Sequence, residues 1–154
     1  MTRVLVLGAT GDQGHPLITR LEKAGLTPIA ALRNPDAFQG TEFAHVETVQ
    51  ADLYDAESMI GAARGVEAIA AHLPFVFDRE KAAALGNNIA AAATENGVKK
   101  IVFNTSCFVA DKNNDNPAHD GRRDIEQAIM DSETPYVIFE PNCSRGLRSY
   151  VCWR

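Results

Sequence analysis

No apolar run in this chain approaches the roughly 20 residues that a membrane-spanning helix needs. Positive charge is in deficit. Fifteen Lys and Arg stand against 20 Asp and Glu, a net charge of −5, so no nucleic-acid surface is expected, since phosphate contacts need clustered cations. The three cysteines, Cys107, Cys143 and Cys152, are odd in number and form no CxxC pair. That disfavours a disulfide framework and a zinc site and fits reduced thiols. Four scattered histidines without an HxxxH pair give no metal pattern. GxxxxGK[ST] is absent, which disfavours a Walker-type NTPase. The first residues read as a strand, not as a basic segment followed by a signal-type apolar run, so the expected compartment is the cytoplasm, with no membrane partner.

What is present is ordinary for one globular domain: 154 residues, 45% hydrophobic and 23% charged. The stretch that organises the chain is Val4-Leu5-Val6-Leu7-Gly8-Ala9-Thr10-Gly11-Asp12-Gln13-Gly14. An apolar strand breaks into three glycines, and Leu17, Ile18 and Leu21 then recur at helix spacing. Strand, glycine turn and helix are the context of a dinucleotide fingerprint. Gly8 suits the tight turn, Gly11 the close approach of a pyrophosphate, and Gly14 the packing of helix on strand. The unpaired N–H groups of the first helical turn face the anion. Thr10 offers a hydroxyl, and Asp12 and Gln13 offer backbone N–H. The Asp12 carboxylate must point away from a pyrophosphate, for which capping the helix is one way.

Further strands are expected at Thr27–Leu32, Val46–Ala51, Val66–Leu73, Lys100–Thr105 and Tyr136–Phe139. Helices are expected at Ala56–Ala63, Arg79–Asn96 and Asp120–Asp131, with Ala110–Asp120 a polar loop. The alternation implies an α/β fold: a doubly wound parallel sheet of about six strands in the order 3-2-1-4-5-6, with both faces covered. Many alanines in the helix from Arg79 suggest close packing on a neighbour. Residues 142–154 carry Arg145, Arg148 and Arg154 but no acid and no regular pattern. A disordered tail, an edge segment and the remnant of a longer parent all fit, so the division is a domain at 1–141 and an irregular segment at 142–154.

Strand ends border the ligand crevice in such sheets. Arg33 falls where an NAD site would place a carboxylate, and a guanidinium there suits a 2′-phosphate, so NADP(H) is expected over NAD(H). Asp36 keeps NAD(H) open if its loop folds back, and Arg33 can equally be a solvated loop residue. Asp52 and Leu53 fit the adenine, or a turn and the core. His72, Leu73 and Pro74 end the fourth strand near the nicotinamide ribose, where His72 can also be a packing residue. Asn104-Thr105-Ser106-Cys107 ends the fifth strand. Ser106 is the best candidate hydroxyl. Cys107, with no base assigned to it, reads as a buried small residue.

The glycine turn, Arg33-Asn34-Pro35, Asp52-Leu53, Ile101 to Ser106 and Pro135-Tyr136-Val137-Ile138 together resemble the NmrA-like branch of the atypical short-chain dehydrogenase/reductase superfamily, over roughly residues 2–141. The resemblance implies a Rossmann fold and NADP(H). It also implies cofactor roles for Gly8, Thr10, Gly11, Asp12, Gln13, Gly14, Arg33, Asp52 and Leu53, and less directly for His72, Leu73 and Pro74. Some members are reductases, including quinone oxidoreductases, and others are redox-sensing regulators without turnover. The Tyr-x-x-x-Lys pair of typical superfamily reductases is absent: Tyr54, Tyr136 and Tyr150 lack a lysine four residues on. Arg122 stands where many members have a lysine, and arginine is a poor proton donor. Most of the substrate-binding region found in members is missing. Ser106 and Arg122 are the catalytic candidates. The expected activity is reduction of a small carbonyl or quinone, and the alternative is dinucleotide binding without turnover. The substrate stays open, and exposed crevice surface makes a homo-oligomer a fair expectation.

Overall fold

Six strands pair in parallel in the order β3-β2-β1-β4-β5-β6 in the computed structural model, which describes residues 1–110, 112 and 115–141. The strands are β1 Arg3–Leu7, β2 Thr27–Leu32, β3 Glu47–Gln50, β4 Ala68–His72, β5 Lys100–Asn104 and β6 Tyr136–Phe139. The helices are α1 Gly14–Lys23, α2 Ala56–Ala62, α3 Arg79–Glu95 and α4 Pro117–Met130. This is the doubly wound order expected from the alternation, and all neighbouring strands run parallel. No helix among the described residues is long and apolar enough to cross a membrane.

Each later helix starts on a side-chain acceptor. Asp55 Oδ1 accepts from the N–H of Glu57 and Ser58, and Asp78 Oδ1 from that of Lys81. Asn116 does the same for Ala118, with Pro117 at the first helical position. That Asn-Pro pair moves the start of α4 three residues ahead of the expected Asp120. Proline there sets φ and lacks an N–H the helix does not need; within a run of asparagines it reads as loop. β3 and β4 are shorter than expected, and Pro35–Phe38 forms a single 3-10 turn rather than a plain strand end. Asp111, Asn113, Asn114 and the segment 142–154 lie outside the described residues.

Two apolar clusters hold the sheet. The larger packs Leu5, Ile69, Ile101 and Phe103 against Met59, Leu85, Ile89 and Ile125 of α2, α3 and α4. Each such apolar side chain contributes about 1.5–3 kcal/mol. The alanine-rich face of α3 lies close on α4: a methyl added at Gly86 would stand 2.8 Å from the Ala128 Cβ. The smaller cluster joins Val6, Ala30 and Leu32 to Ile18 of α1 and to Phe38 and Phe43. Full cover of both faces does not follow. On the α1 side, Val102 and Phe139 border a groove of about 200 Å³ beside Leu17, and no described helix lies over β5 and β6 there. Right-handed crossovers explain this: every connection from β3 to β6 moves the same way across the sheet and puts its helix on the opposite face.

Candidate functional site

The chain leaves β1 for β2 on one side, and β4 lies on the other. Between their C-terminal ends opens a cleft of about 750 Å³, the crevice where such sheets bind ligands. Its wall includes Gly8, Thr10, Gly11, Arg33, Asp52, Leu53, His72 and Pro74. Asp12, Gln13, Gly14, Leu73, Ser106 and Arg122 are not on that wall.

The glycines separate into two kinds. Gly8 has φ +75°, and a Cβ there would overlap the His72 carbonyl oxygen. At Gly14 a Cβ would overlap the carbonyls of Gly8 and Ala9. The fold itself therefore needs these two. At Gly11 an added Cβ would meet only Gly8 O, at an ordinary 3.4 Å. The bare backbone at Gly11 is thus a space on the cleft wall that nothing in the protein fills, which fits a pyrophosphate. α1 begins without a side-chain cap: Gln13 is its N-cap residue and makes no capping bond. Asp12 is exposed and does not cap the helix. Among the described residues no backbone acceptor takes the N–H of Asp12 or Gln13, leaving donors for an anion.

At the other end Arg33 is exposed beside Asn34 on the cleft wall. Asp36, the residue that would suit NAD(H), is engaged instead: its Oδ1 accepts from Gln39 Nε2. Asp52 Oδ1 accepts the Tyr54 N–H at 3.0 Å, as a turn aspartate does, and the residue borders the cleft. Leu53 packs against the larger core and also lines the cleft; its carbonyl is pinned by Asn88 Nδ2 at 3.0 Å. Ala31 and Ala37 widen this end. Alanine carries no pattern that would have marked them.

His72, half-buried, is the register partner of Asn104 and lies 3.2 Å through Nδ1 from Ser106 Oγ. Burial lowers its pKa, and the charge of Arg122 lowers it further. Ser106 has φ +65°. Arg122 is 1% exposed. Its Nη2 donates to Leu73 O, and its guanidinium lies 4.5 Å from the Phe75 ring centroid. Nε and Nη1 have no hydrogen-bond partner among the described residues. Burial pushes its pKa down, and Cys107 opposes that. Arg122 therefore braces the β4 exit from inside the fold, and Leu73 is a core residue offering a carbonyl to it. Among the described residues no group of side chains could hold a metal ion.

The model of the NmrA-like family matches residues 1–144. The chain belongs to the NmrA-like family. A reductase of Streptomyces griseus subsp. griseus named for (4-alkanoyl-5-oxo-2,5-dihydrofuran-3-yl)methyl phosphate is 31% identical over 140 residues, 90% of this chain and 46% of that protein. An NADPH-dependent quinone oxidoreductase of Escherichia coli is 28% identical with a TM-score of 0.70, over 88% of this chain and 46% of that one. Triphenylmethane reductase of Citrobacter sp., solved with NADP(H), shares the fold at a TM-score of 0.77 and 24% identity, over 92% of this chain and 49% of that one. The chain spans about half the length of these relatives. This NmrA-like protein thus carries its cleft on a Rossmann sheet, and proteins named as reductases are among its relatives.

Proposed function

We propose that this NmrA-like protein binds NADP(H) in preference to NAD(H) and reduces a small conjugated carbonyl or quinone. The observation that carries it is one continuous crevice: Arg33 stands on its wall at one end, the open Gly11 backbone in the middle and His72 at the other, with Ser106 Oγ off the wall but 3.2 Å from His72 Nδ1. The relatives named as reductases of a dihydrofuranyl phosphate and of quinones support the same reading. Arg33 meets a 2′-phosphate with charge-assisted hydrogen bonds. NADPH bound there supplies a hydride, and the acceptor also takes up a proton. The tautomer of His72 with hydrogen on Nδ1 donates to Ser106 Oγ, which frees the serine hydrogen to bond an acceptor oxygen, while the proton that the acceptor takes up comes from solvent. Quinones need no stronger acid, so the missing tyrosine–lysine pair does not bar them.

A second reading, dinucleotide binding without turnover as in a redox sensor, is favoured by the inward side chain of Arg122. Fluorescence titration with NADPH and NADH, followed by NADPH consumption against a quinone panel, separates the two. NADPH binding with turnover that Ser106→Ala lowers is the expected result. Binding without turnover leaves the sensor, and no binding of either nucleotide overturns both.

A further inference from the structure

Three hydrogen bonds join the start of α1 to the ends of β5 and β4, and one side chain makes two of them. Asn104 Nδ2 donates to Gln13 Oε1 at 2.8 Å. Asn104 Oδ1 accepts the Ser106 N–H at 2.9 Å. Ser106 Oγ then lies 3.2 Å from His72 Nδ1. The assignment of the Asn104 amide follows from chemistry. A backbone N–H can only donate, so Oδ1 faces Ser106, and Nδ2 is left to face Gln13, which must present its oxygen.

Ser106 needs this support. At φ +65° it occupies the left-handed region, where residues other than glycine are uncommon. The Asn104 carbonyl closes the turn by accepting from the residue two further on, an Asx turn. The buried Thr105 hydroxyl tightens it from the other side, 2.6 Å from Cys107 O and 3.2 Å from Phe139 O. A glycine at 106 would hold this φ freely. What the serine adds is a hydroxyl facing His72.

We propose that Asn104 is a positioning residue: its amide fixes the Ser106 hydroxyl against His72 and ties that pair to the glycine turn through Gln13. The element that holds the dinucleotide phosphates then also sets the hydroxyl that faces the acceptor. This rests on the reading of Ser106 given under Proposed function. An amide is suited to the task because it offers an acceptor and a donor from one rigid plane, and small misplacements of a reacting group lower rates steeply.

The test compares variants of the whole protein with NADPH and a quinone that the wild type turns over. Asn104→Leu is expected to change the NADPH Kd by less than about threefold while kcat falls about tenfold or more, the weight of a hydrogen bond. Asn104→Asp restores kcat to within about threefold, because a carboxylate still accepts the Ser106 N–H and Gln13 can turn its amide to donate to the second oxygen. Should the leucine variant fail to fold, Asn104→Ser replaces it: its hydroxyl can accept from the N–H of Ser106 but is too short for Gln13, and again kcat falls while Kd holds. A readout independent of turnover is the His72 titration midpoint by NMR. Asn104→Leu should move it as Ser106→Ala does, and move it no further in the Ser106→Ala background. Kd and kcat changing together, no recovery with aspartate, or additive midpoint shifts would overturn the proposal. If the wild type turns over no acceptor, the reductase reading fails, and the midpoint cycle alone decides the role of Asn104.

Discussion

Ser106 Oγ stands 3.2 Å from His72 Nδ1 across the gap between the ends of β5 and β4. Burial lowers the pKa of the histidine in that pair, and the charge of Arg122 lowers it further. A depressed histidine pKa means that the unfolded chain binds the proton more readily, at an ordinary midpoint of about 6.5. Stability from this group is therefore present above about pH 6.5 and is lost as pH falls through the lower folded value. Thermal melts between about pH 8 and 5 should show Tm decreasing on acidification, and His72→Gln should flatten part of that slope. An unchanged slope would remove His72 from the account.

Arg122 is the nearby charge that disfavours protonation of His72. Arg122→Met should raise the His72 titration midpoint in NMR. Folding stability should stay within about 1 kcal/mol of wild type, since exchanging a buried charge with unpartnered N–H groups for an apolar chain is often neutral. Arg122→Ala also empties the space beside Phe75 and should lose about 2–5 kcal/mol in denaturant titration. A methionine variant as unstable as the alanine one would show that the guanidinium bond to Leu73 O dominates.

Two glycines of one turn should behave oppositely. Gly14→Ala forces a methyl against the carbonyls of Gly8 and Ala9 and should lower stability by about 1–3 kcal/mol. Gly11→Ala has room in the protein alone, so its Tm should match wild type, while NADPH affinity falls at least about tenfold. Calorimetric titration beside thermal melts reads both. Weak binding and low Tm together at Gly11 would refute the division.

Arg33→Asp should weaken NADPH binding by about ten- to a hundredfold, the loss of a charge-assisted contact. NADH binding should change by less than about threefold, because the 2′-hydroxyl makes no ion pair. If the NADPH-to-NADH affinity ratio is the same in both proteins, Arg33 does not read the 2′ position.

The sheet order was legible because apolar strands alternate with stripe-faced helices, and handed crossovers leave few arrangements for such a chain. β2 and β6 fall at Thr27–Leu32 and Tyr136–Phe139, as the apolar runs indicate. The start of α4 was not legible, because Asn116-Pro117 is equally a turn signal and a helix cap. Both His72 and Ser106 could be placed at strand ends. Their contact could not, since it depends on β4–β5 register and on a left-handed residue. Nor does sequence say which way Arg122 points: six residues into a helix, its direction is set by what α4 packs on. Asp12 shows the opposite error, a residue suited to capping that makes no cap because the turn places Gln13 at the helix start.

The unequal cores divide the crevice into a firm end and a yielding one. The segment with Arg33 and the turn at Pro35–Phe38 is backed by the small cluster of Ile18, Phe38 and Phe43, where His15 stacks 4.5 Å from the Phe43 ring, while Ala31 and Leu53 beside it pack on the large one. The His72 end is backed by three helices and the large cluster. Local opening follows the thinner packing. In hydrogen exchange the amides of residues 33–46 should turn over first in the free protein and slow most on nucleotide addition. The cofactor would then be a strut for the weaker half of the sheet as well as a reactant for the other.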